Sequence, residues 1–303
     1  MAGNDWMSQL DDRRSITELA IPGTHDTGAY NPGDWTEFNR PMTFAQSLDI
    51  PGQLNVGVRA LDLRCGSNYY GQSFSLYHGP YQLPDYIPDV ITSVVTFLNA
   101  NPSEFVILML KIEPPGSSDW SVKLNDIINN GLGNKLVRRL NRETRWPTVG
   151  EMRGKVLVLS RFPQPHQYHF DTRAWGDDVQ DQTIQVTSAI YNHPQRLNVR
   201  LQDLYNKPTL QNKLQAVQAA LRAAKSSALR VTTDTLFLNF ASYVVMWAQP
   251  REIGRDRMNP RLQAMASKCG VVCVDNADAA TISSIYNDNT FAVAMRRRGS
   301  VSF

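Results

Sequence analysis

The chain has only three cysteines among its 303 residues, and their spacing matches no common metal site. Cys65, Cys269 and Cys273 include no CxxC pair, which argues against a zinc site and against a dense disulfide framework. One disulfide plus one free thiol is still allowed, and nothing in the sequence selects a pair. We expect Cys65 to behave as a small buried apolar side chain.

Long apolar runs and strong charge are also missing. No stretch of about 18 apolar residues occurs, so the sequence predicts no membrane-spanning helix. The first six residues have neither a basic region nor an apolar region and do not look like a secretory signal. The net charge of +3 is too small to indicate nucleic-acid binding, although it is compatible with an anionic substrate.

What the chain does contain is a succession of short apolar runs separated by longer amphipathic stretches. The hydrophobic content of 42% excludes a disordered chain. Candidate strands cover residues 19–21, 59–63, 74–77, 105–110, 156–160, 183–188, 236–240 and 271–274. Candidate helices cover residues 88–99, 121–141, 209–225, 260–268 and 282–294, and we interpret residues 28–55 and 162–181 as excursions or loops. Eight strands alternating with helices predict a (β/α)₈ barrel that forms one domain over residues 1–303.

The strands around residues 105–110 and 156–160 are apolar on both faces. This pattern is typical of parallel strands that helices cover on the outside, and less so of antiparallel strands with one wet face. The fold class predicted is therefore α/β, a distorted TIM barrel.

Polar residues follow the carboxyl ends of most of these runs, where the active sites of barrels are built. They are His25, Asp26, Asp62, Arg64, His78, Lys111, Glu113, Arg161 and Asp275. Two histidines can serve as base and acid in a displacement at phosphorus, and an arginine can stabilise the charge that grows on the phosphate oxygens. A carboxylate behind a histidine holds its tautomer. The set therefore indicates phosphodiester cleavage.

Three motifs carry a resemblance to a known family. They are Ile21-Pro22-Gly23-Thr24-His25-Asp26, Arg59-Ala60-Leu61-Asp62-Leu63-Arg64 and Tyr77-His78-Gly79-Pro80. Together they resemble the X-domain of bacterial-type phosphatidylinositol-specific phospholipase C. Weaker matches follow in order to about residue 276, among them Asn101-Pro102-Ser103-Glu104, Leu159-Ser160-Arg161-Phe162, Leu201-Gln202-Asp203-Leu204-Tyr205, Leu238-Asn239-Phe240 and Val274-Asp275.

The resemblance implies a distorted TIM barrel and a role for each catalytic position. His25 would take the proton of the inositol 2-hydroxyl, oriented by Asp275. His78, supported by Asp26, would protonate the departing diacylglycerol oxygen, and Arg64 would stabilise the pentavalent transition state. The products would be diacylglycerol and inositol 1,2-cyclic phosphate, with slow hydrolysis of the cyclic ester to inositol 1-phosphate.

The resemblance also implies a binding site for the inositol ring and the absence of a metal. Lys111, Arg161 and Asp203 would bind hydroxyls, and Tyr205 would stack on the ring. Eukaryotic members carry an acidic residue at the position of Arg64 and bind calcium there. The fixed positive charge of Arg64 would repel a cation, so we expect a metal-independent lyase without a cofactor.

Two alternatives stay open. A metal-dependent glycerophosphodiesterase or a sphingomyelinase D-like enzyme uses a similar barrel, but the second strand lacks the expected Glu-Asp pair and carries Arg64 instead. A barrel retained only to bind inositol lipids is the non-enzymatic alternative. Such a module should have lost an acid–base residue, yet both histidines, Arg64 and Asp275 are present.

The apolar segment 241–248 would follow the seventh strand at the barrel mouth. Its residues Val245, Met246 and Trp247 are candidates for contact with lipid, with a buried helix start or a subunit contact as the other interpretation. The basic cluster at residues 296–298 is better explained as a solvated helix end than as a lipid contact. We interpret His166, His169 and His193 as surface histidines.

Substrate, partners and location are expectations of the same kind. We expect phosphatidylinositol as substrate, glycosyl-phosphatidylinositol anchors in addition if the mouth is open, and a lipid surface as the place of action. We expect a monomer that binds no nucleic acid. A lipid hydrolase of this type would work outside a bacterial cell, after removal of a leader.

Overall fold

The protein is described from a computed structural model that covers residues 3–31, 43–67, 73–113, 118–138, 145–188, 197–230, 235–245 and 248–289. The strands are β1 Ala20–Thr24, β2 Ala60–Ser67, β3 Phe74–His78, β4 Tyr81–Tyr86, β5 Val106–Ile112, β6 Val156–Ser160, β7 Phe170–Asp171, β8 Val179–Val186, β9 Leu197–Asp203, β10 Thr235–Phe240 and β11 Gly270–Val274. The helices are α1 Ile50–Val56, α2 Ile87–Ala100, α3 Ser118–Leu132, α4 Val149–Met152, α5 Leu210–Leu229, α6 Pro250–Ile253, α7 Asn259–Ala264 and α8 Ala279–Tyr286. A π-helical turn, Gly254–Met258, joins α6 to α7.

Eight parallel strands form the barrel wall in the order β7, β6, β5, β2, β1, β11, β10 and β9. Strand β8 runs antiparallel to β9 at one edge of this sheet. The two edges approach each other where the Asp171 N–H donates to the Thr187 carbonyl across 3.0 Å. The predicted distorted TIM barrel is confirmed, with its irregularity beside β7.

Two of the eight predicted barrel strands have a different role. Residues 74–77 belong to β3, which forms an antiparallel hairpin with β4 on the extended end of β2. Residues 183–188 overlap β8, which is also antiparallel. The wall strands that the prediction lacks are β7, which has two residues, and β9, in which polar side chains interrupt the apolar pattern.

The loop prediction for residues 28–55 and 162–181 is only partly correct. Helix α1 lies in the first segment and begins at an Asp49 cap that accepts from Gly52 N–H at 2.8 Å. Strand β7 and the start of β8 lie in the second. Helix α1 and strand β7 are short, so the sequence shows no sustained periodicity at these places.

A buried ion pair closes the barrel end that lies away from the predicted site. Arg59 precedes β2 and Glu104 precedes β5, and both side chains are fully buried. Arg59 Nη2 and Nε each lie 2.9 Å from Glu104 Oε2, and Arg59 Nη1 donates to the carbonyls of Leu54 and Val58. Among the described residues, buried side chains therefore close this end of the barrel and leave no opening for a ligand beside the Arg59–Glu104 pair.

Candidate active site

His25 and Asp275 form a hydrogen-bonded pair at the carboxyl ends of adjacent strands. His25 follows β1 and Asp275 follows β11, and the register pairs Thr24 with Val274 just before them. His25 Nδ1 lies 2.8 Å from Asp275 Oδ1. Since the carboxylate can only accept, Nδ1 carries the proton and the lone pair of a neutral ring sits on Nε2.

Asp26 and His78 form a second pair on the same side of the mouth. The His78 Nδ1 atom lies 3.2 Å from Asp26 Oδ2 and 3.2 Å from the Thr43 carbonyl, to which it donates. Asp26 has a φ of +46°, in the left-handed region that Asp tolerates better than most residues. This turn lets two successive side chains, His25 and Asp26, serve one site, whereas in a strand they would point to opposite faces.

Arg64 lies between the two pairs. Its Nη2 donates to His25 Nε2 across 2.9 Å, and its Nε lies 3.3 Å from Asp26 Oδ1. Further ion pairs join it to Asp62 at 3.6 Å and to Glu113 at 3.5 Å. Asp62 and Arg64 are two residues apart on β2, so the alternation of the strand brings both to the mouth.

Burial and charge act against each other on these groups. Burial lowers the pKa of His25, but the charge and hydrogen bond of Asp275 outweigh it and raise that pKa above its usual value. Burial likewise raises the pKa of Asp26, yet Arg64 and His78 bring it below its usual value. The cation of Arg64 is stabilised against its own burial by Asp26, Asp62 and Glu113, and its pKa is raised. The contact between Arg64 and His25 Nε2 requires a neutral imidazole, because a guanidinium has no acceptor.

The predicted ring-binding residues lie on the neighbouring strands. Lys111 on β5 is in register with Arg64 and contacts Glu113 Oε1 at 2.9 Å. Arg161 follows β6, and Asp203 ends β9. Burial lowers the pKa of Arg161 and raises that of Asp203, while each of the two charges opposes the effect on the other.

Trp175 joins these residues, although no pattern in the sequence indicates a role for it. The guanidinium of Arg161 lies over its ring at 4.0 Å, and Trp175 Nε1 donates to Asp203 Oδ2 at 3.3 Å. The ring also meets Phe240, which in turn packs edge-on against His25. Trp175 lies in a segment predicted as a loop, and only its position between two polar partners reveals its place in the site.

Tyr205 lies beyond the end of β9, half-buried, on the same side. Its backbone N–H donates to Asp178 Oδ1 at 2.8 Å. Burial and a hydrogen bond to Asp177 raise the pKa of its phenol to about 12, so the ring stays neutral. These contacts hold Tyr205 against Asp177 and Asp178. Stacking of its ring on a substrate ring stays a prediction.

Some other sequence-based expectations need correction. His169 is buried rather than a surface residue, and its ring contacts Ser160 Oγ at 3.0 Å and Asn129 Oδ1 at 3.1 Å. Burial lowers its pKa to about 3, which keeps the ring neutral. His166 is partly exposed, and His193 lies outside the described residues.

The cysteines Cys65, Cys269 and Cys273 are all free and buried, so no disulfide joins any of them. The prediction that Cys65 is a small buried side chain is confirmed.

The apolar segment near the mouth divides into buried and exposed parts. Tyr243 is buried, Val244 is 45% exposed and Val245 packs partly against the core. Met246 and Trp247 lie outside the described residues, as does the basic cluster 296–298. Contact of this segment with lipid therefore stays a prediction.

The described residues contain neither a metal-binding cluster nor a membrane-spanning helix. In the part of the chain that the structure describes, no group of three or more His, Cys, Asp or Glu side chains could hold a metal ion. None of the helices within the described ranges is long and apolar enough to cross a membrane. The guanidinium of Arg64 lies within 3.6 Å of the carboxylates of Asp26, Asp62 and Glu113, so a fixed cation is already present among them.

The sequence is similar to one family model and to several curated proteins. Residues 19–162 match the family model described as phosphatidylinositol-specific phospholipase C, X domain. A 1-phosphatidylinositol phosphodiesterase of Listeria monocytogenes is 28% identical over 297 residues, which cover 94% of this chain and 85% of that protein. The enzyme of the same name from Staphylococcus aureus strain Newman is 28% identical over 248 residues, covering 78% of this chain and 74% of the relative.

Solved structures agree on the fold. The phosphatidylinositol-specific phospholipase C from Listeria monocytogenes superposes with a TM-score of 0.72 at 23% identity, over 95% of this chain and 99% of that one. Residues 19–162 thus match the phosphatidylinositol-specific phospholipase C X domain, and the chain is similar over most of its length to bacterial 1-phosphatidylinositol phosphodiesterases.

Proposed function

We propose that the protein is a phosphatidylinositol-specific phospholipase C, a phosphatidylinositol diacylglycerol-lyase that works without a metal ion. One observation carries the proposal: two His–Asp pairs, His25–Asp275 and His78–Asp26, lie on either side of Arg64. Two proton-transferring groups that flank one fixed cation suit an in-line displacement at a phosphodiester. The names of the curated relatives agree with this reaction.

The first step is internal attack. His25 Nε2 removes the proton of the inositol 2-hydroxyl, whose oxygen attacks the neighbouring phosphorus. Asp275 holds the Nδ1 proton and stabilises the imidazolium that forms. An internal nucleophile needs no activated water and gains from proximity.

The second half of the step is departure of diacylglycerol. The phosphorus–oxygen bond to diacylglycerol breaks as His78 delivers a proton to the leaving oxygen, and Asp26 faces the ring of that acid. Arg64 stabilises the negative charge on the non-bridging oxygens, exchanging its contact with His25 Nε2 for the phosphate. The product is inositol 1,2-cyclic phosphate. With the two histidines in reversed roles, water then opens the cyclic ester slowly to inositol 1-phosphate.

The inositol ring would bind on the side of β5, β6 and β9. Lys111, Arg161 and Asp203 offer charged donors and an acceptor to the ring hydroxyls, and Tyr205 offers a stacking face. Trp175 fixes the relative positions of Arg161 and Asp203. This arrangement supports phosphatidylinositol as the substrate. We propose glycosyl-phosphatidylinositol anchors as additional substrates.

The substrate implies a lipid surface as the place of action. The exposed Val244, with Val245, Met246 and Trp247, would contact that surface beside the mouth. A protein with this substrate, related to enzymes of two bacteria, would act outside the cell as a monomeric catalytic barrel over residues 1–303.

The proposal is tested by ³¹P NMR of phosphatidylinositol in detergent micelles with EDTA present. The native protein should produce an early cyclic phosphodiester signal, and His25→Ala should not. Turnover that requires added calcium or magnesium would indicate a metal-dependent phosphodiesterase. Binding without turnover under either condition would indicate a lipid-binding module.

A further inference from the structure

Gln46 lies between the two loops that carry His25 and Asp275. Its side chain is fully buried. Its Nε2 donates to the His25 carbonyl at 2.8 Å and to the Val274 carbonyl at 2.9 Å, while its Oε1 accepts from the Ala277 N–H at 3.0 Å. One amide therefore links the backbone on both sides of the His25–Asp275 pair.

The segment that carries Gln46 is itself anchored to the same loops. The backbone N–H groups of Ala45 and Gln46 both donate to the Ala29 carbonyl, at 2.8 and 3.1 Å. The Ala45 carbonyl accepts from Asn276 N–H at 2.7 Å. The backbone that carries the Gln46 side chain is therefore itself held in place by hydrogen bonds.

The backbone that Gln46 holds is in an unusual conformation. Asp26, next to His25, has a φ of +46°, and Asn276, next to Asp275, has a φ of +51°. Such conformations cost free energy and persist only where the surroundings fix them. The three side-chain hydrogen bonds of Gln46 lie on both sides of Asn276, at Val274 and Ala277, and directly before Asp26, at His25. They are therefore well placed to fix both turns.

We propose that Gln46 is a positioning residue for the His25–Asp275 pair, acting through the backbone and without touching the substrate. The inference rests on the proposed function, because it gives the pair the role of general base and orienting carboxylate. Loss of the amide would let the loops separate and weaken the 2.8 Å contact that fixes the tautomer of His25.

A second glutamine provides a matched control. Gln53 is also fully buried, and its Nε2 donates to two backbone carbonyls, those of Thr27 at 2.9 Å and Leu48 at 2.8 Å. Within the described residues it makes no hydrogen bond to the loop of Asp275. Gln46→Met and Gln53→Met each remove two donated hydrogen bonds from the interior, and Gln46→Met also removes the bond accepted from Ala277 N–H. Of the two glutamines, Gln46 alone is bonded to both loops that carry the His25–Asp275 pair.

The experiment compares kcat and KM of both variants on phosphatidylinositol micelles. Gln46→Met should lower kcat by about 10²-fold and leave KM within about twofold, as expected for a misplaced catalytic group. Gln53→Met should keep kcat within about threefold of the native protein. A kcat for Gln46→Met equal to that of Gln53→Met would overturn the proposal.

A second readout does not depend on turnover. The His25 Nδ1 proton should give a downfield ¹H NMR signal, assigned by its loss in His25→Ala. Gln46→Met should abolish or shift this signal, and Gln53→Met should retain it; an unchanged signal in Gln46→Met would overturn the proposal. A native protein that makes no cyclic phosphate would contradict the proposed function, while this comparison would still test Gln46.

If Gln46→Met does not fold, Gln46→Glu replaces it in both measurements. The carboxyl group keeps the size of the side chain and the acceptor for Ala277 N–H but lacks the amide donors. A partial loss of kcat and a shifted Nδ1 signal are expected. Native values of both would overturn the proposal.

Discussion

Arg64 donates from Nη2 to Nε2 of His25 across 2.9 Å, so one hydrogen bond joins the proposed base to the proposed electrostatic stabiliser. Because a guanidinium has no acceptor, this contact requires the neutral imidazole. Asp275 favours the protonated ring and raises its pKa, whereas the charge of Arg64 lowers it. Two neighbours with opposite effects therefore determine the pKa of His25. Removal of either neighbour should shift the pH profile of the reaction.

Asp275→Asn should shift the pH dependence as well as the rate. In the native protein, kcat/KM should rise with pH through the pKa of His25, which lies above the usual 6.5. Without the carboxylate that raises this pKa, the acidic limb should move to lower pH. The rate above that limb should fall by about 10²-fold or more, because the tautomer of His25 is no longer fixed. An acidic limb that stays in place, measured over pH 5 to about 9 with the native protein as reference, would contradict the role of Asp275.

His78→Ala should depend strongly on the leaving group. Loss of a general acid costs about 10²- to 10⁴-fold when the leaving oxygen needs a proton. An inositol phosphodiester with a nitrophenyl leaving group departs without protonation, so the variant should be impaired much less on it. His25→Ala is the control and should be slow on both substrates, since the attacking hydroxyl is the same. Equal losses on both substrates for His78→Ala would exclude the acid role.

The positions of the proposed catalytic residues could be predicted because most of them lie in or directly after buried strands. His25 and Asp275 follow β1 and β11, and Arg64 lies within β2; all three strands are apolar enough to be recognised. The prediction places His78 at the end of a wall strand, whereas its strand belongs to an antiparallel hairpin outside the wall. The hairpin grows from β2, and this connection brings His78 back to Asp26.

The remaining parts of the site could not be predicted, for physical reasons. Trp175 and Gln46 lie in long segments without sustained periodicity, and their contacts are to residues distant in sequence. Strand β9 alternates buried residues with partly exposed ones such as Arg200, so its sequence lacks the continuous apolar run of the other wall strands. Packing, rather than local pattern, determines these features.

Arg64→Met should remove most of the activity without creating a need for metal. The variant loses the cation that faces the phosphate, a loss of about 10²- to 10³-fold for one stabilising group. Arg64→Lys should restore only part of the rate, because a point charge cannot replace the fork that contacts His25 and Asp26. Assays in EDTA and in calcium should agree for the native protein. Loss of native activity in EDTA, with recovery in calcium, would contradict the proposal.

Trp175→Phe should affect substrate binding more than the chemical step. Phenylalanine keeps a ring beneath Arg161 but removes the donor to Asp203 Oδ2. Asp203 then loses a hydrogen bond that would fix its orientation toward the inositol hydroxyls of the proposed substrate. We expect KM to rise by about three- to tenfold with kcat nearly unchanged. A fall in kcat at constant KM would instead place Trp175 in the acid–base machinery.

Glu104→Gln should lower stability without changing the chemistry. The variant leaves the buried charge of Arg59 uncompensated, which costs about 3–5 kcal/mol in the free energy of unfolding. The exposed pair Arg200–Asp181 is a matched control, because its 2.7 Å separation is as short as the 2.9 Å of the buried pair. Asp181→Asn should cost less than about 1 kcal/mol, since solvent screens that pair. Urea unfolding measures both, and kcat per folded molecule should stay native because Glu104 lies at the amino ends of the strands, away from His25. Equal losses in the two variants would show that burial does not set the strength of these pairs.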